Sequence, residues 1–160
     1  GIPTVHETSL IDLGNYNDAY PRMAGLAEDW LARYPSIQMV LDVHRDSLET
    51  DDGTQLALRA DVDGEACAKL LLVMGSNGSG LEHPGWRQNL ANAARLQALC
   101  EQRAPGLMRD LLLRASRYNQ HLTPRSMLLE VGTAGNALEE ALRSADIFSQ
   151  VLADCLLGKA

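Results

Sequence analysis

The chain has 160 residues, of which 46% are hydrophobic and 22% charged, and its formal net charge is −7. This length and composition are ordinary for one soluble globular domain with a buried core. The negative charge excludes the basic surface that nucleic-acid-binding proteins use. No stretch approaches the ~18 apolar residues of a membrane helix, and the chain does not open with the basic-then-apolar pattern of a signal peptide.

The N-terminal part of the chain predicts two strands separated by a helix. Residues 2–5 predict a short strand that begins almost at the first residue, and this abrupt start predicts a domain truncated on its N-terminal side. A helix is expected over residues 21–34. The apolar, β-branched run 37–43 ends in His44-Arg45 and is typical of a strand buried on both faces of a parallel sheet.

The central part predicts a β-hairpin. Residues 55–62 and 65–74 flank Asp63-Gly64, which is a strong signal for a two-residue turn. The glycine-rich residues 75–80 lack the Gly-Lys-Ser/Thr sequence that completes a P-loop, so no phosphate site is expected there.

Two helices and two strands are predicted in the C-terminal half. A helix over residues 84–103 precedes a strand over 110–114 and a second buried strand over 126–131. The last helix is expected to begin with Asn136 as its capping residue and Glu139 at its third position. Its predicted buried stripe consists of Leu138, Leu142, Ala145, Phe148, Leu152 and Leu156.

These alternating elements predict an α/β fold. The expected architecture is a single domain over residues 1–160, with a mostly parallel twisted sheet flanked by helices and an inserted β-hairpin. In open sheets of this class, ligands bind outside the carboxyl ends of the strands. Polar side chains at the strand ends are therefore the first candidates for a functional site.

His44 is the best single candidate for a metal ligand. It follows an apolar strand, where a neutral imidazole is well placed to bind zinc. Asp42 lies two residues earlier, on the same strand face, and can orient one nitrogen of the imidazole. The alternative is a histidine at a strand end that is held by a local hydrogen bond.

Glu130 is the candidate for a general base. It follows the apolar Met127-Leu128-Leu129 run, and a carboxylate inside such a strand is expensive to bury unless it is paired or useful. Partial burial would raise its pKa toward the range in which a general base works near neutral pH. The alternative is a salt bridge to Arg117 or Arg125.

Other polar residues lie near the predicted strand ends. His6 follows the first predicted strand, so three strand ends are expected to converge, although a lone histidine at such a position is more often structural. The polar residues 118–121 lead into the strand of Glu130 and either line a substrate groove through their amides or simply connect two elements. Cys100 and Cys155 fall on apolar helix stripes and are expected to be buried thiols.

Several blocks of this sequence resemble the stage II sporulation protein P family. The resemblance runs in order from about Gly1 to the last helix. The blocks are Tyr34-Pro35-Ser36-Ile37, Leu41-Asp42-Val43-His44-Arg45-Asp46, His83-Pro84-Gly85-Trp86 with Asn89-Leu90, Tyr118-Asn119-Gln120-His121-Leu122, Leu129-Glu130-Val131-Gly132 and Leu138-Glu139-Glu140-Ala141-Leu142-Arg143-Ser144-Ala145. Each block alone is weak, but Asp42-x-His44-Arg45-Asp46 followed by Glu130-Val131-Gly132 is specific in combination.

The resemblance implies a zinc-dependent N-acetylmuramoyl-L-alanine amidase with a phosphorylase/hydrolase-like, amidase-like fold. His44 is then a zinc ligand and Glu130 is the catalytic carboxylate. His6 is a second candidate ligand because of its position after the first predicted strand, and not because of the resemblance. The candidates for substrate contact or for orienting the metal site are Asp42, Arg45, Asp46, Asn119, Gln120 and His121.

The resemblance also implies a cellular role. Members of this family cut peptidoglycan while the forespore is engulfed, both at the amide bond between glycan and stem peptide and at peptide cross-links. The expected protein is extracytoplasmic and attached by an N-terminal membrane anchor, absent from this chain, at the sporulation septum or engulfing membrane. Its implied partners are peptidoglycan and the sporulation proteins D and M of the same stage.

One family motif is absent from this sequence. The family places another zinc-binding histidine, with a nearby glutamate, upstream of everything present here. Since a catalytic zinc site uses three protein ligands, this chain alone is expected to bind zinc weakly and to be inactive. The alternative function is a non-catalytic piece that binds cell wall or acts as a scaffold.

Overall fold

The computed structural model describes residues 1–11, 13–15 and 18–159. Over these ranges three helices and six strands follow one another along the chain. They are α1 (Ala19–Arg33), β1 (Leu41–Asp46), β2 (Arg59–Val62), β3 (Glu65–Ala68), β4 (Leu70–Gly75), α2 (Trp86–Arg103), β5 (Leu112–Arg114), β6 (Met127–Thr133) and α3 (Leu138–Leu156). The α/β class predicted from the sequence is confirmed.

The main sheet has four strands in the order β1-β6-β4-β5. The pairs β1/β6 and β4/β5 are parallel, whereas β4 and β6 are antiparallel. The sheet is therefore mixed, and the predicted mostly parallel sheet is wrong in this respect. The cause is the hairpin, because β4 follows β3 after the single residue Lys69 and enters the sheet in the opposite direction to β6.

The β-hairpin forms a separate two-stranded sheet of β2 and β3. Its turn is the predicted Asp63-Gly64 pair, with φ angles of 56° and 84°. Two consecutive positive φ angles match the right-handed twist of the flanking strands, which is why the Asp-Gly sequence forms this turn. The carboxylate of Asp61 accepts a hydrogen bond from the Gly64 N–H at 3.0 Å.

The core lies on both faces of the main sheet, because successive strand residues alternate between them. The larger apolar cluster combines sheet residues with α2 and α3. Its most buried members include Leu70, Leu72, Met74, Leu96, Cys100, Leu107, Leu129 and Phe148. A smaller cluster on the opposite face contains Leu71, Val73 and Leu128, with Leu112 and Tyr118 packed against it. This second face also carries the candidate site.

The start of α3 differs from the prediction that Asn136 caps the helix. Ala137 is the residue before the first helical turn, and its N–H donates to the Glu140 carboxylate at 3.1 Å. The Asn136 side chain instead accepts from the Thr133 N–H at 2.9 Å and donates to the Leu58 carbonyl at 3.1 Å. Asn136 therefore joins the end of β6 to the chain before β2.

The predicted buried stripe of α3 is confirmed at Phe148 and, half-buried against the core, at Leu152, but it is wrong at both ends, where Leu138, Leu142 and Leu156 are exposed. Leu138 and Leu142 are 63% and 58% exposed, and of the predicted stripe Phe148 is fully buried. Glu140 and Ser144 occupy the buried face instead. They are held there by partners from the hairpin, since Glu140 pairs with Arg59 at 2.5 Å and the Ser144 hydroxyl donates to the Ala68 carbonyl at 2.7 Å.

The predicted N-terminal strand is also wrong. Residues 2–5 have no regular secondary structure, and β1 begins at Leu41 rather than at residue 37. The N-terminal segment contacts α1 instead, because the Trp30 indole N–H donates to the Glu7 carboxylate at 2.8 Å. This hydrogen bond is the largest cause that lowers the pKa of Glu7 to about 2.

The two predicted buried thiols are found where the helix stripes place them. Cys100 is fully buried, Cys155 is half-buried against the same core, and Cys67 is buried as well. Burial raises the pKa of the Cys100 thiol to about 12. All three cysteines are free, as expected for apolar packing roles.

Gly132 has a backbone that other residues adopt poorly. Its φ is +74°, and a Cβ atom there would lie 2.8 Å from the Cβ of Ala68 and 3.0 Å from Oδ1 of Asn136. We expect Gly132→Ala to lower the free energy of unfolding by about 2 kcal/mol or more, because backbone strain and a steric clash add. Urea unfolding followed by circular dichroism measures this loss.

Gly106→Ala is the matched control for this substitution. Gly106 has a similar φ of +79°, but a Cβ atom there meets nothing within 4 Å. The Gly106→Ala variant therefore measures the loss of stability that backbone strain causes without a steric clash. If the free energy of unfolding fell by the same amount in both variants, the close approach of Ala68 and Asn136 to Gly132 would not contribute to the effect.

Candidate active site

His44 and Glu130 lie side by side on one face of the main sheet. They are register partners in the parallel pair β1/β6, and Leu71 of β4 is the partner of Glu130 on its other side. Since partners in register project from the same face, the imidazole and the carboxylate share one surface. This brings together the two residues that the sequence placed on separate strands.

The sequence predicted that His44 and Glu130 would lie at the ends of their strands, and this is wrong. β1 continues past His44 to Asp46, and β6 continues past Glu130 to Thr133. The two side chains therefore project from inside the strands, next to the smaller apolar cluster of Leu71, Val73 and Leu128. A polar pair bordered by apolar side chains is partly removed from water, which strengthens its electrostatic interactions.

Asp42 orients the imidazole of His44. Its Oδ1 lies 3.0 Å from Nε2 of His44, which leaves Nδ1 as the nitrogen for another partner. The hydrogen bond to Asp42 is the main cause that raises the pKa of His44, and burial opposes it. The negative charges of Asp42 and Glu130 raise the pKa further. This contact is the local hydrogen bond considered from the sequence, and the role of Asp42 in orienting a metal ligand stays a prediction.

Glu130 is a half-buried carboxylate with one unpartnered oxygen. Its Oε2 is buried and has no hydrogen-bond partner among the residues that the structure describes. Burial is the main cause that raises the pKa of Glu130, and the neighbouring His44 lowers it. A carboxylate with a raised pKa and a free oxygen has the properties of a general base or acid.

The alternative of a salt bridge to Glu130 is wrong for both arginines that were considered. Arg117 donates to the Glu82 carbonyl at 3.1 Å, and Arg125 donates to the Gln38 side chain at 2.7 Å. Neither guanidinium forms a salt bridge with the Glu130 carboxylate.

Arg109 is a site residue that the sequence reasoning missed. Its Nη1 lies 2.6 Å from Oδ2 of Asp46, and both side chains are more than three-quarters buried. The Arg109 charge lowers the pKa of Glu130, whereas the Asp46 charge raises it. The available signal was a charged pair, Arg109-Asp110, within the otherwise apolar run 107–112, but the partner of Arg109 lies 63 positions away in sequence.

Arg45 holds the segment that follows β6. Its Nε donates to the Thr133 carbonyl at 2.8 Å, and its Nη2 donates to the carbonyls of Ala134, at 3.1 Å, and Asn136. Three carbonyl acceptors engage this guanidinium, so its contacts fix the chain just after Glu130. Substrate contact by Arg45 stays a prediction.

The predicted substrate loop 118–121 reaches the site through Tyr20. The Asn119 amide donates to the Tyr20 carbonyl at 2.8 Å, and the Tyr20 ring stacks on His44 with centroids 6.4 Å apart. Gln120 is 1% exposed. Its side-chain amide accepts a hydrogen bond from the Gly75 N–H and donates one to the Val73 carbonyl, both at 2.9 Å, so this amide is structural. The ring of His121 lies edge-on to the ring of His83, with centroids 6.5 Å apart.

His6 is not placed by a strand. It is exposed in the irregular N-terminal segment, so the predicted convergence of three strand ends is wrong, while its role as a ligand stays a prediction. Across the described ranges, no cluster of three or more His, Cys, Asp or Glu side chains is arranged to hold a metal ion. The role of His44 as a metal ligand therefore stays a prediction.

Comparison with known proteins identifies the family. A family model described as stage II sporulation protein P matches residues 1–153. The chain belongs to the stage II sporulation protein P family. The stage II sporulation protein P of Bacillus subtilis (strain 168) is 33% identical over 149 residues, which cover 88% of this chain and 35% of that relative. The chain thus spans about a third of that relative's length. No solved structure matches.

The structure gives physical reasons for two sequence motifs of this family member. The Asp42-x-His44 spacing puts both side chains on one strand face, where they bond. In Glu130-Val131-Gly132, the glutamate joins the site and the glycine allows the sheet to approach Ala68. In the part of the chain that the structure describes, no helix has the length and hydropathy needed to cross a membrane.

Proposed function

We propose that this domain is the hydrolytic part of a sporulation protein that cleaves peptidoglycan. The bonds cleaved are the N-acetylmuramoyl-L-alanine amide and, in addition, peptide cross-links, and the reaction depends on zinc. The observation that supports the proposal most is the adjacent placement of His44, oriented by Asp42, and Glu130, with its raised pKa and free oxygen. Family membership supports the sporulation role.

Glu130 supplies the proton transfers of an amide hydrolysis. As a base, its carboxylate takes a proton from the attacking water, whose oxygen forms the new bond to the scissile carbonyl carbon. The protonated Glu130 then gives that proton to the leaving amine nitrogen as the carbon–nitrogen bond breaks. General acid–base catalysis of this kind contributes about 10²–10⁴-fold.

His44 is the proposed zinc ligand, and it would bind through Nδ1 because Nε2 is bonded to Asp42. When bound, zinc would polarise the scissile carbonyl and lower the pKa of water. The donor set fits a metal only in part, since the described residues supply one oriented imidazole rather than three clustered ligands. The other ligands therefore have to come from outside this set.

The proposal is tested by incubating purified cell wall with the protein and measuring the release of soluble muropeptides. Both this chain and a version extended at its N-terminus are assayed, with zinc and with a chelator. We expect zinc-dependent release by the extended protein. If the protein pelleted with cell wall but released nothing under any of these conditions, the second candidate, a non-catalytic wall-binding or scaffold piece, would replace the first.

Peptidoglycan is the proposed substrate, and the sporulation proteins D and M of stage II are the proposed protein partners. We place the parent protein on the extracytoplasmic side of the sporulation septum or engulfing membrane, attached through an N-terminal anchor. Family membership supports these assignments. Co-purification of the extended protein with each partner tests them.

Asp42→Asn is expected to weaken zinc binding by the extended protein about 10–100-fold, the usual loss when an orienting carboxylate is removed. The asparagine keeps the size of the side chain but loses the charge that holds the His44 ring. Isothermal titration with zinc measures the change. Asp110→Asn is the control, since Asp110 is exposed and outside the site. An unchanged affinity in Asp42→Asn would remove Asp42 from the metal site.

A further inference from the structure

Arg109 projects from the face of the main sheet that carries Glu130. Met108 and Leu70 form a parallel bridge, and the Arg109 N–H donates to the Leu70 carbonyl at 2.7 Å. Because bridged residues share a face and successive residues alternate between faces, Arg109 projects from the face opposite to Leu70. Leu71 projects from that opposite face as well, and its register partner is Glu130.

The side chain of Arg109 crosses the candidate site. Arg109 lies on the outer side of β4, so β4 and β6 separate it from β1 in the order of the sheet. Its Nη1 nevertheless lies 2.6 Å from Oδ2 of Asp46, on β1. The contact therefore spans β4 and β6, the strand of Glu130. The charge acts on that carboxylate, since burial, the main influence, raises the pKa of Glu130 while Arg109 lowers it.

Asp46 holds this guanidinium and leaves donors free for a ligand. Its Oδ1 accepts a hydrogen bond from the Ser47 N–H at 2.9 Å, and its Oδ2 contacts Arg109. In the described ranges, Asp46 is the one acceptor that bonds the guanidinium, which carries more N–H donors than one carboxylate oxygen uses. The Arg109 side chain is 23% exposed. Arg109 is thus an oriented cation that a ligand can reach.

The position of the guanidinium indicates which part of a substrate it meets. This inference rests on the proposed function, in which the scissile amide lies at His44 and Glu130. Asp46 follows His44 on the same strand, about 7 Å further along it. An extended peptide covers this distance in about two residues. A group bound to Arg109 therefore belongs to the second residue from the scissile amide.

The chemistry of this position favours a carboxylate. The planar guanidinium matches a carboxylate through two parallel hydrogen bonds. Without such a cation, the carboxylates of Asp42, Asp46 and Glu130 on β1 and β6 would repel an anionic substrate. On the glycan side of the scissile amide the substrate offers neutral acetamido and hydroxyl groups, whereas the peptide stem carries carboxylates.

We propose that Arg109, held by Asp46, binds the α-carboxylate of the second residue of the peptide stem. The site then prefers stems that carry this negative charge over stems in which it is amidated. Asp46 acts through Arg109 and does not contact the substrate.

The binding of two matched ligands tests the proposal. N-acetylmuramoyl peptides with D-glutamate or D-isoglutamine as the second residue differ by a carboxylate or an amide at this position. Isothermal titration uses the extended protein with Glu130→Gln, so that neither ligand is cleaved. We expect the D-glutamate ligand to bind about tenfold more tightly or better. Arg109→Gln should abolish this preference, and Arg103→Gln, exposed at the end of α2, should keep it.

The ratio of the two affinities separates recognition from a structural role. If Arg109 only stabilised the fold, Arg109→Gln would weaken both ligands alike and keep the ratio, and that result would overturn the proposal. Arg109→Lys keeps a charge for Asp46 but loses the planar fork, so it should reduce the preference even if Arg109→Gln does not fold.

Activity separates this inference from the proposed function. Cleavage of both peptides by the protein with Glu130 intact, together with equal affinities, would refute the role of Arg109 alone. A carboxylate preference without any cleavage would support that role and refute the hydrolytic function. An equal loss of turnover for both peptides in Arg109→Gln, with unchanged binding, would make Arg109 a stabiliser of the oxyanion and overturn the proposal.

Discussion

Replacing Glu130 with glutamine is expected to reduce peptidoglycan cleavage by at least ~100-fold and to leave the fold intact. Glutamine has the same size and reaches the same position, but it cannot take a proton from water. Stability should be retained, because the substitution removes a half-buried charge whose Oε2 has no partner among the described residues. The rate of muropeptide release by the extended, zinc-loaded protein gives the result.

Glu139→Gln is the matched control for Glu130→Gln. Glu139 is exposed in the first turn of α3, so the same chemical change there should leave the rate unchanged. The pH profile adds a second readout. Because burial raises the pKa of Glu130 and the base must be ionised, activity should be lost with falling pH at a higher pH than for an ordinary glutamate. Full activity of Glu130→Gln would remove this residue from the mechanism.

His44→Gln is expected to weaken zinc binding by more than the ~10–100-fold that loss of an orienting partner costs. The substitution deletes a proposed ligand itself, while the Asp42 carboxylate beside it remains. Muropeptide release should fall with it, and added zinc should restore activity only in part. Isothermal titration with zinc and the release assay measure the two effects in the extended protein.

His6→Gln is the companion variant, because it tests the second predicted ligand. The exposed position of His6, outside any strand, leads us to expect unchanged zinc affinity. An equal loss in both variants would make His6 a ligand that joins His44 on metal binding. Unchanged zinc affinity in His44→Gln would contradict the proposed metal site.

The central pair of the site was predictable because strand patterning is a local signal. Two apolar runs, each ending near a polar residue, predicted two strands buried on both faces. This is wrong for β1, an edge strand in which Val43 is 61% exposed, but β1 and β6 are parallel neighbours that put His44 beside Glu130. What the pattern missed was the exact position of the pair. Both strands run further than their apolar residues suggest, so the pair lies on a sheet face rather than at its edge.

The rest of the fold depends on long-range contacts that no local pattern contains. Glu140 and Ser144 occupy the buried face of α3 because partners on β2 and β3 satisfy them, so an apolar stripe could not locate that face. The Arg109–Asp46 pair joins residues 63 positions apart. The antiparallel direction of β4 relative to β6 likewise follows from its connection to the hairpin strand β3.

A zinc-edge anomalous diffraction experiment on crystals of the extended protein tests the central claim most directly. The account predicts one strong peak within bonding distance, about 2.1 Å, of the His44 ring. The Glu130 carboxylate should face the open coordination position of that ion. A zinc ion bound elsewhere, with the His44 imidazole unligated and Glu130 turned to a structural partner, would contradict it.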